Sequence, residues 1–197
     1  MKCFGLIGNP LGHSFSPLIH KHLFGIKNID ASYKLLETTP ENLKKRIDEL
    51  KSGEYDGFNV TIPYKIEIMK YLDEISPEAL AIGSVNTICM KNGKVVGYNT
   101  DYFGFKRELE YYNIKVEKQN AYVLGTGGAS KAITKALENM NANVTLVSRH
   151  PKNNIIGYED LKSKKIDLIV NTTPVGMYPH MDDSPLDEEI ASKAKCI

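Results

Sequence analysis

Two groups of residues in this chain have types and spacing suited to chemistry. Gly125-Thr126-Gly127-Gly128-Ala129-Ser130 follows the apolar run Ala121-Tyr122-Val123-Leu124 and leads into an alanine-rich stretch over residues 129–140. That order reads as strand, tight turn and helix, the setting in which glycine spacing carries meaning. Gly125 permits the turn, and Gly127 lets the backbone approach a pyrophosphate held at the positive end of the helix. The second group is an ammonium and a carboxylate. Asn59-Val60-Thr61-Ile62-Pro63-Tyr64-Lys65 reads as a strand end entering a helix, with Pro63 in the first turn, where its missing N–H is no loss. Lys65 then falls near a helix start, where a cation opposes the helix dipole and propensity alone would not choose it. Asp101, closing Gly97-Tyr98-Asn99-Thr100-Asp101, is the expected N-cap of the helix after it. A lysine and an aspartate at two such mouths can face one pocket.

The residues beyond the glycine turn narrow the choice of nucleotide. About 20 residues past such a turn, a site for NAD carries an acid on the ribose, whereas a 2′-phosphate needs a cation. Here Val147 is followed by Ser148, Arg149, His150 and Lys152, with no acid among them. Arg149 offers a planar fork suited to phosphate and Ser148 a hydroxyl, which points to NADP. Ser130 stands where a third glycine or alanine is usual, and it is small enough to keep helix and strand close. Asn171-Thr172-Thr173-Pro174-Val175-Gly176-Met177 lies at the carboxyl end of a further strand, where ligands of open α/β sheets bind. Thr172 and Met177 are therefore expected near a nicotinamide.

The first half holds a polar cluster. Gly12-His13-Ser14-Phe15-Ser16-Pro17 joins the first strand to the first helix, so the hydroxyls of Ser14 and Ser16 meet a positive helix end suited to a carboxylate. Ser16 also reads as a plain N-cap. Thr61, Asn86 and Asp101 add short polar groups at strand ends of one sheet. Asn86 sits among apolar neighbours, and a buried amide must find partners, either in the core or on a ligand with several hydroxyls. Other chemistries fit less well. His13, His20 and His22 lack the helical pairing of a zinc site, so no metal is expected, and there is neither a serine elbow nor a phosphate-loop lysine.

The elements that must carry these residues alternate strand and helix, which favours a parallel sheet. Strands are expected over residues 2–8, 32–37 and 55–61, and helices after Ser16-Pro17, Thr39-Pro40, Pro63 and Ser76-Pro77. Leu43, Ile47 and Leu50 form one apolar stripe at helical spacing. Residues 85–90 and 95–98 flank Asn92-Gly93, a two-residue hairpin signal, so an antiparallel edge on a mostly parallel sheet is expected. A helix over 101–113, with Phe105, Leu109 and Tyr112 on one side, closes the first half. Residues 1–113 are thus read as an α/β substrate-binding domain. Residues 114–197, with strands over 121–124, 143–147 and 166–170, are read as a Rossmann-like doubly wound dinucleotide domain.

Bulk composition excludes several classes. The 25 Lys and Arg nearly balance the 24 Asp and Glu, and no block of one sign stands out, which argues against nucleic acid or a membrane surface as partner. No stretch approaches the ~20 apolar residues of a membrane span, and the start lacks signal-peptide order. Three scattered cysteines fit reduced thiols, so a cytoplasmic protein is expected. Oligomeric state is not readable.

Taken together, Gly12 to Pro17, Asn59 to Lys65, Gly83 to Thr87, Asn99-Thr100-Asp101, Gly125 to Ala129 and Asn171 to Met177 resemble, in order, the motifs of the shikimate dehydrogenase family. The resemblance implies NADPH-dependent, reversible reduction of 3-dehydroshikimate to shikimate in aromatic biosynthesis, in a cleft between a substrate domain and a nucleotide domain. It implies that Ser14 and Ser16 hold the substrate carboxylate and that Thr61, Lys65, Asn86 and Asp101 contact its ring oxygens. Lys65 would be the acid–base residue, oriented by Asp101. Two alternatives remain: a quinate/shikimate dehydrogenase of broader specificity, and a binding module without turnover, since the family continues past the point where this chain stops. A shortened crossover after Arg149 is a further departure, with Lys152 standing in for a second family arginine.

Overall fold

The computed structural model describes residues 1–12 and 14–197. His13, named above among the histidines, lies outside the described residues. The chain divides into two compact units, Met1–Thr100 and Asp101–Ile197.

Among the described residues the first unit builds one six-stranded sheet. Its elements run β1 (Lys2–Gly8), α1 (Ser16–Lys27), β2 (Ala31–Glu37), a 3₁₀ turn (Pro40–Asn42), α2 (Leu43–Lys51), β3 (Gly57–Val60), a second 3₁₀ turn (Glu67–Tyr71), β4 (Glu74–Ile75), α3 (Pro77–Ile82), β5 (Thr87–Lys91) and β6 (Lys94–Tyr98). The strand order is β2-β1-β3-β5-β6-β4, parallel except where β5 runs against β3 and β6. The expected antiparallel edge is therefore an internal strand. The short β4 adds itself in parallel outside β6, fastened where the Asp73 carboxylate accepts the Val95 N–H at 2.8 Å. The hairpin turn is as expected, with Asn92 at φ 52° and Gly93 at φ 77°.

The α2 stripe does what its spacing predicts. Leu43, Ile47 and Leu50 are buried in one core with Ile7, Val60, Ile88 and Val95. Each such burial stabilises by about 1.5–3 kcal/mol. The exposed Lys44–Asp48 pair on the same helix is worth only about 0.3–0.5 kcal/mol, so packing and not charge fixes α2. At the end of β1 the backbone comes very close to its neighbours. A Cβ on Gly8 would stand 2.5 Å from Thr61 Cγ2 and 2.7 Å from Leu11 Cδ2, so only glycine lets the loop that bears Thr61 close over the strand end.

The second unit comprises α4 (Asp101–Tyr111), β7 (Asn120–Leu124), α5 (Gly128–Asn139), β8 (Asn143–Val147), a 3₁₀ turn (Glu159–Ser163), β9 (Leu168–Asn171) and α6 (Glu188–Ala191). Among the described residues its sheet is parallel, in the order β8-β7-β9. The chain leaves β7, forms β8 on one side and returns to form β9 on the other, which is the start of a doubly wound sheet. Alternation along β7 serves both faces. Ala121 and Val123 pack with Leu109, Ile133 and Leu137, while Tyr122 and Leu124 pack with Leu161, Ile169 and Ile190. The sheet face over the short crossover after β8 is thus still covered, by Leu161 from the crossover and by Ile190 of α6, which follows β9.

Three expectations about α4 change. Leu109 is buried with the second unit's core, so α4 belongs to that unit. Asn113, read as a domain boundary, is a helix stop: it adopts φ 55°, and the following Ile114 N–H bonds back to the Leu109 carbonyl. Tyr112, placed on the packed side, is exposed.

Candidate active site

In the first unit one short segment holds the backbone around two of the expected site residues. Gly83, in the left-handed region at φ 71°, ends α3 and turns the chain into Ser84-Val85-Asn86. The Val85 N–H bonds the Lys65 carbonyl at 2.7 Å. The Asn86 Oδ1 accepts the Thr100 N–H at 2.9 Å, and its Nδ2 donates to Thr100 Oγ1 at 3.0 Å. The carbonyl and Oγ of Ser84 accept Asn99 Nδ2 at 3.0 and 2.9 Å. A single loop therefore fixes the backbone of Lys65 and the residues Asn99 and Thr100 that lead into Asp101.

The local setting of Lys65 differs from the expected helix start. The Ile62-Pro63 peptide is cis, Lys65 lies in a turn, and the next helical element is the 3₁₀ turn from Glu67. The cause is competition for carbonyls. Ile62 accepts from Asn9 N–H and Lys65 from Val85 N–H, so the oxygens an α-helix would use are engaged by residues distant in sequence. Asp101, expected as an N-cap, is instead the first residue of α4. Thr61 follows β3, its N–H bonded to the Ile7 carbonyl.

Ser14 and Ser16 are brought together, but in exchanged roles. Ser16 is the first residue of α1, Phe15 occupies the cap position, and Ser16 makes no side-chain cap. Ser14 does the local work: its Oγ accepts the Ser16 N–H at 3.2 Å and donates to Ser16 Oγ at 3.1 Å. The pair is half-buried at the helix start, an arrangement able to donate two hydroxyls to a carboxylate. Sequence reasoning missed the residues behind this pair. Tyr33 donates to Asn59 Oδ1 at 2.8 Å, and Asn59 Nδ2 donates to Thr87 Oγ1 at 3.2 Å. Thr87 in turn donates to Asn86 Oδ1 at 3.0 Å. Asn59 was in view within its motif; Tyr33 carried no signal, because nothing in a linear sequence shows that it reaches past β1.

In the second unit the glycine turn is built as expected, though several of its side chains act differently. Gly125 has φ 107°, and a Cβ there would stand 2.9 Å from Thr172 Oγ1, so both its conformation and its space require glycine. Gly127 precedes α5 with open space around any added Cβ, and among the described residues no side chain caps the helix start. That exposed backbone at a helix N-terminus fits a pyrophosphate. Thr126 is exposed beside it, and Gly128 and Ala129 form the first helical positions. Ser130 and Thr172, by contrast, spend their hydroxyls on the fold. Ser130 Oγ is buried and donates to the Gly125 carbonyl at 2.8 Å, and Thr172 Oγ1 donates to the Leu124 carbonyl at 2.6 Å. Both bonds tie the carboxyl end of β7 to its neighbours.

At the end of β8, Ser148 Oγ accepts the His150 N–H at 3.1 Å, and Arg149 and Lys152 are exposed. Burial pushes the Tyr158 phenol above its ordinary value, and the nearby Arg149 charge partly offsets this. A guanidinium and an ammonium here suit a 2′-phosphate. Met177 is exposed in a turn, its N–H on the Pro174 carbonyl.

A mixed sheet carrying a lysine among hydroxyls and amides, followed by a parallel sheet with a dinucleotide-type glycine turn, defines a two-unit α/β oxidoreductase. Comparison with known proteins makes this specific. The profile described as shikimate dehydrogenase substrate binding domain matches residues 6–88, inside the first unit. A Clostridium beijerinckii protein named shikimate dehydrogenase (NADP(+)) is 46% identical over 200 residues, covering 96% of this chain and 74% of its own length. The crystal structure of shikimate dehydrogenase 1 from Peptoclostridium difficile superposes with a TM-score of 0.91 at 43% identity, over 98% of this chain and 75% of that one. The shikimate 5-dehydrogenase of Thermus thermophilus, solved with NADP(H) and shikimate, gives 0.85 at 32% identity over 96% and 75%. The chain belongs to the shikimate dehydrogenase family.

Proposed function

We propose that this chain catalyses the reversible, NADP-dependent interconversion of 3-dehydroshikimate and shikimate, with the first unit binding substrate and the second the dinucleotide. The observation that supports this most is the Ser84–Asn86 loop, which fixes the Lys65 backbone on one side and the approach to Asp101 on the other. Homology to enzymes named for this reaction supports it independently.

The residues present suit NADP. The open backbone at Gly127 and the α5 N-terminus would hold its pyrophosphate, and Arg149, Lys152 and Ser148 its 2′-phosphate. When bound, the reduced cofactor supplies the hydride. The chain's own part is to hold the substrate and manage the proton. The Ser14 and Ser16 hydroxyls turn toward the substrate carboxylate, and Asn86 and Thr61 receive the ring hydroxyls. As negative charge grows on the carbonyl oxygen, the Lys65 ammonium stabilises it and delivers the proton; in the reverse direction the Lys65 amine receives that proton. Asp101 hydrogen-bonds the reacting hydroxyl and orients Lys65. A cytoplasmic location belongs to the same reading, supported by three cysteines that are all free. Among the described residues, no helix is long and apolar enough to cross a membrane.

The test follows the absorbance of reduced nicotinamide when the full chain meets shikimate and NADP⁺. Turnover with shikimate supports the assignment, and comparable turnover with quinate would broaden it. Binding of both ligands without turnover would overturn the enzyme in favour of a binding module.

A further inference from the structure

We infer that Tyr33 is a positioning residue for the substrate site: its phenol holds Asn59, which braces the segment of Asn86, the amide that reads the ring hydroxyls. This rests on the functional reading above. Tyr33 lies on β2 and Asn59 on β3, with β1 between them; Tyr33 pairs with Phe4, and Asn59 with Leu6. Strands two places apart are about 9–10 Å from each other, so only a long side chain lying along the sheet face can link them. The phenol does so, donating to Asn59 Oδ1 at 2.8 Å.

From the phenol the bonds run in one direction. Tyr33 O–H donates to Asn59 Oδ1. Asn59 Nδ2 then donates to Thr87, Thr87 O–H to Asn86 Oδ1, and Asn86 Nδ2 to Thr100 Oγ1. An amide can satisfy such a chain in only one orientation, because its oxygen only accepts and its nitrogen only donates. Tyr33 therefore holds the oxygen side of Asn59, whose Nδ2 also donates to the Asn86 carbonyl at 3.4 Å, while the Thr100 N–H sets the orientation of the Asn86 amide itself. Without the phenol hydroxyl the Asn59 carbonyl loses its donor, and the amide that braces the Asn86 segment is held less firmly.

The ring is held so that the hydroxyl can do this. The His20 imidazole stacks on it with centroids 3.9 Å apart and planes at 16°, and His20 Nδ1 lies 2.9 Å from the Ser16 carbonyl. An apolar cavity of about 230 Å³, lined in part by Phe4, Phe24, Phe58 and Ile88, adjoins both rings. A phenylalanine would keep these ring contacts and lose only the bridge. Burial, partly offset by the Ser16 hydroxyl, pushes the phenol pKa up to about 12, so it remains a donor wherever the enzyme works.

Steady-state kinetics on Tyr33→Phe test the inference. One hydrogen bond in a polar chain is worth about a tenfold change in affinity, so KM for shikimate should rise about tenfold. The kcat and KM for NADP⁺ should stay within about twofold, a split that a general loss of packing would not produce. The double variant Tyr33→Phe/Asn59→Ala should be no worse for shikimate than Asn59→Ala alone, because both act through one chain. An unchanged shikimate KM, a uniform loss in all three constants, or multiplicative effects in the double variant would each overturn the inference. Should the unsubstituted chain fail to turn over shikimate, the functional reading fails instead, so the two failures are distinct.

Discussion

On the proposed reading the two units solve recognition by opposite means. The first would present side chains to its ligand: serines, amides and a lysine on loops whose backbones are tied to the sheet and whose polar atoms are linked to one another. The second presents backbone, with an open glycine at a helix start, while Ser130 and Thr172 turn inward to hold the turn against the strand. A polyhydroxylated ring needs donors and acceptors at defined points, and only side chains of several lengths supply them. A pyrophosphate needs close approach to N–H groups, and any side chain at the approach is an obstacle. Substitutions should therefore impair chemistry and substrate affinity in the first unit, and stability or nucleotide affinity in the second.

The largest effect is expected at Lys65. Lys65→Ala removes the proposed proton donor and the charge proposed to meet the developing alkoxide, so kcat should fall by roughly 10²–10⁴ while thermal stability changes little. Stopped-assay rates together with a melting curve check this. An equal loss in kcat and in melting temperature would make Lys65 a structural residue and erase the contrast.

Gly125→Ala should act the other way. The new methyl meets Thr172 Oγ1 at 2.9 Å in a backbone conformation of φ 107°, so unfolding free energy should drop by about 1–3 kcal/mol, read by denaturant titration. Ser130→Ala is the milder version. It deletes one buried hydrogen bond to the Gly125 carbonyl and should cost about 1 kcal/mol, with KM for NADP⁺ unchanged. A large rise in that KM without loss of stability would return Ser130 to the nucleotide.

Much of this arrangement was legible in the sequence because its signals are local. Asn92-Gly93 requires positive φ at both positions and formed the turn expected of it; the Leu43, Ile47, Leu50 stripe and the strand–glycine–helix order behaved likewise. What stayed illegible depends on partners distant in sequence. Pro63 suggested a helix start, but the Ile62 and Lys65 carbonyls were already engaged by Asn9 and Val85. Ser130 and Thr172 sit where nucleotide contacts are expected, yet a hydroxyl beside a strand-end carbonyl finds its partner in the fold first. Asn113 has the composition of a linker and proved to be a helix stop. Tyr33 resembles any strand tyrosine until the sheet order places Asn59 two strands away.

Calorimetric titration of shikimate and NADP⁺, each into the unsubstituted chain, Asn86→Ala and Gly127→Val, tests the division between the units most directly. Gly127 is at φ −81°, open to any residue, with nothing within 4 Å of an added Cβ, so valine there folds and fills only the space over the helix start. Asn86→Ala should weaken shikimate by about tenfold or more and leave NADP⁺ unchanged, and Gly127→Val should do the reverse. Either substitution weakening both ligands alike would contradict the account.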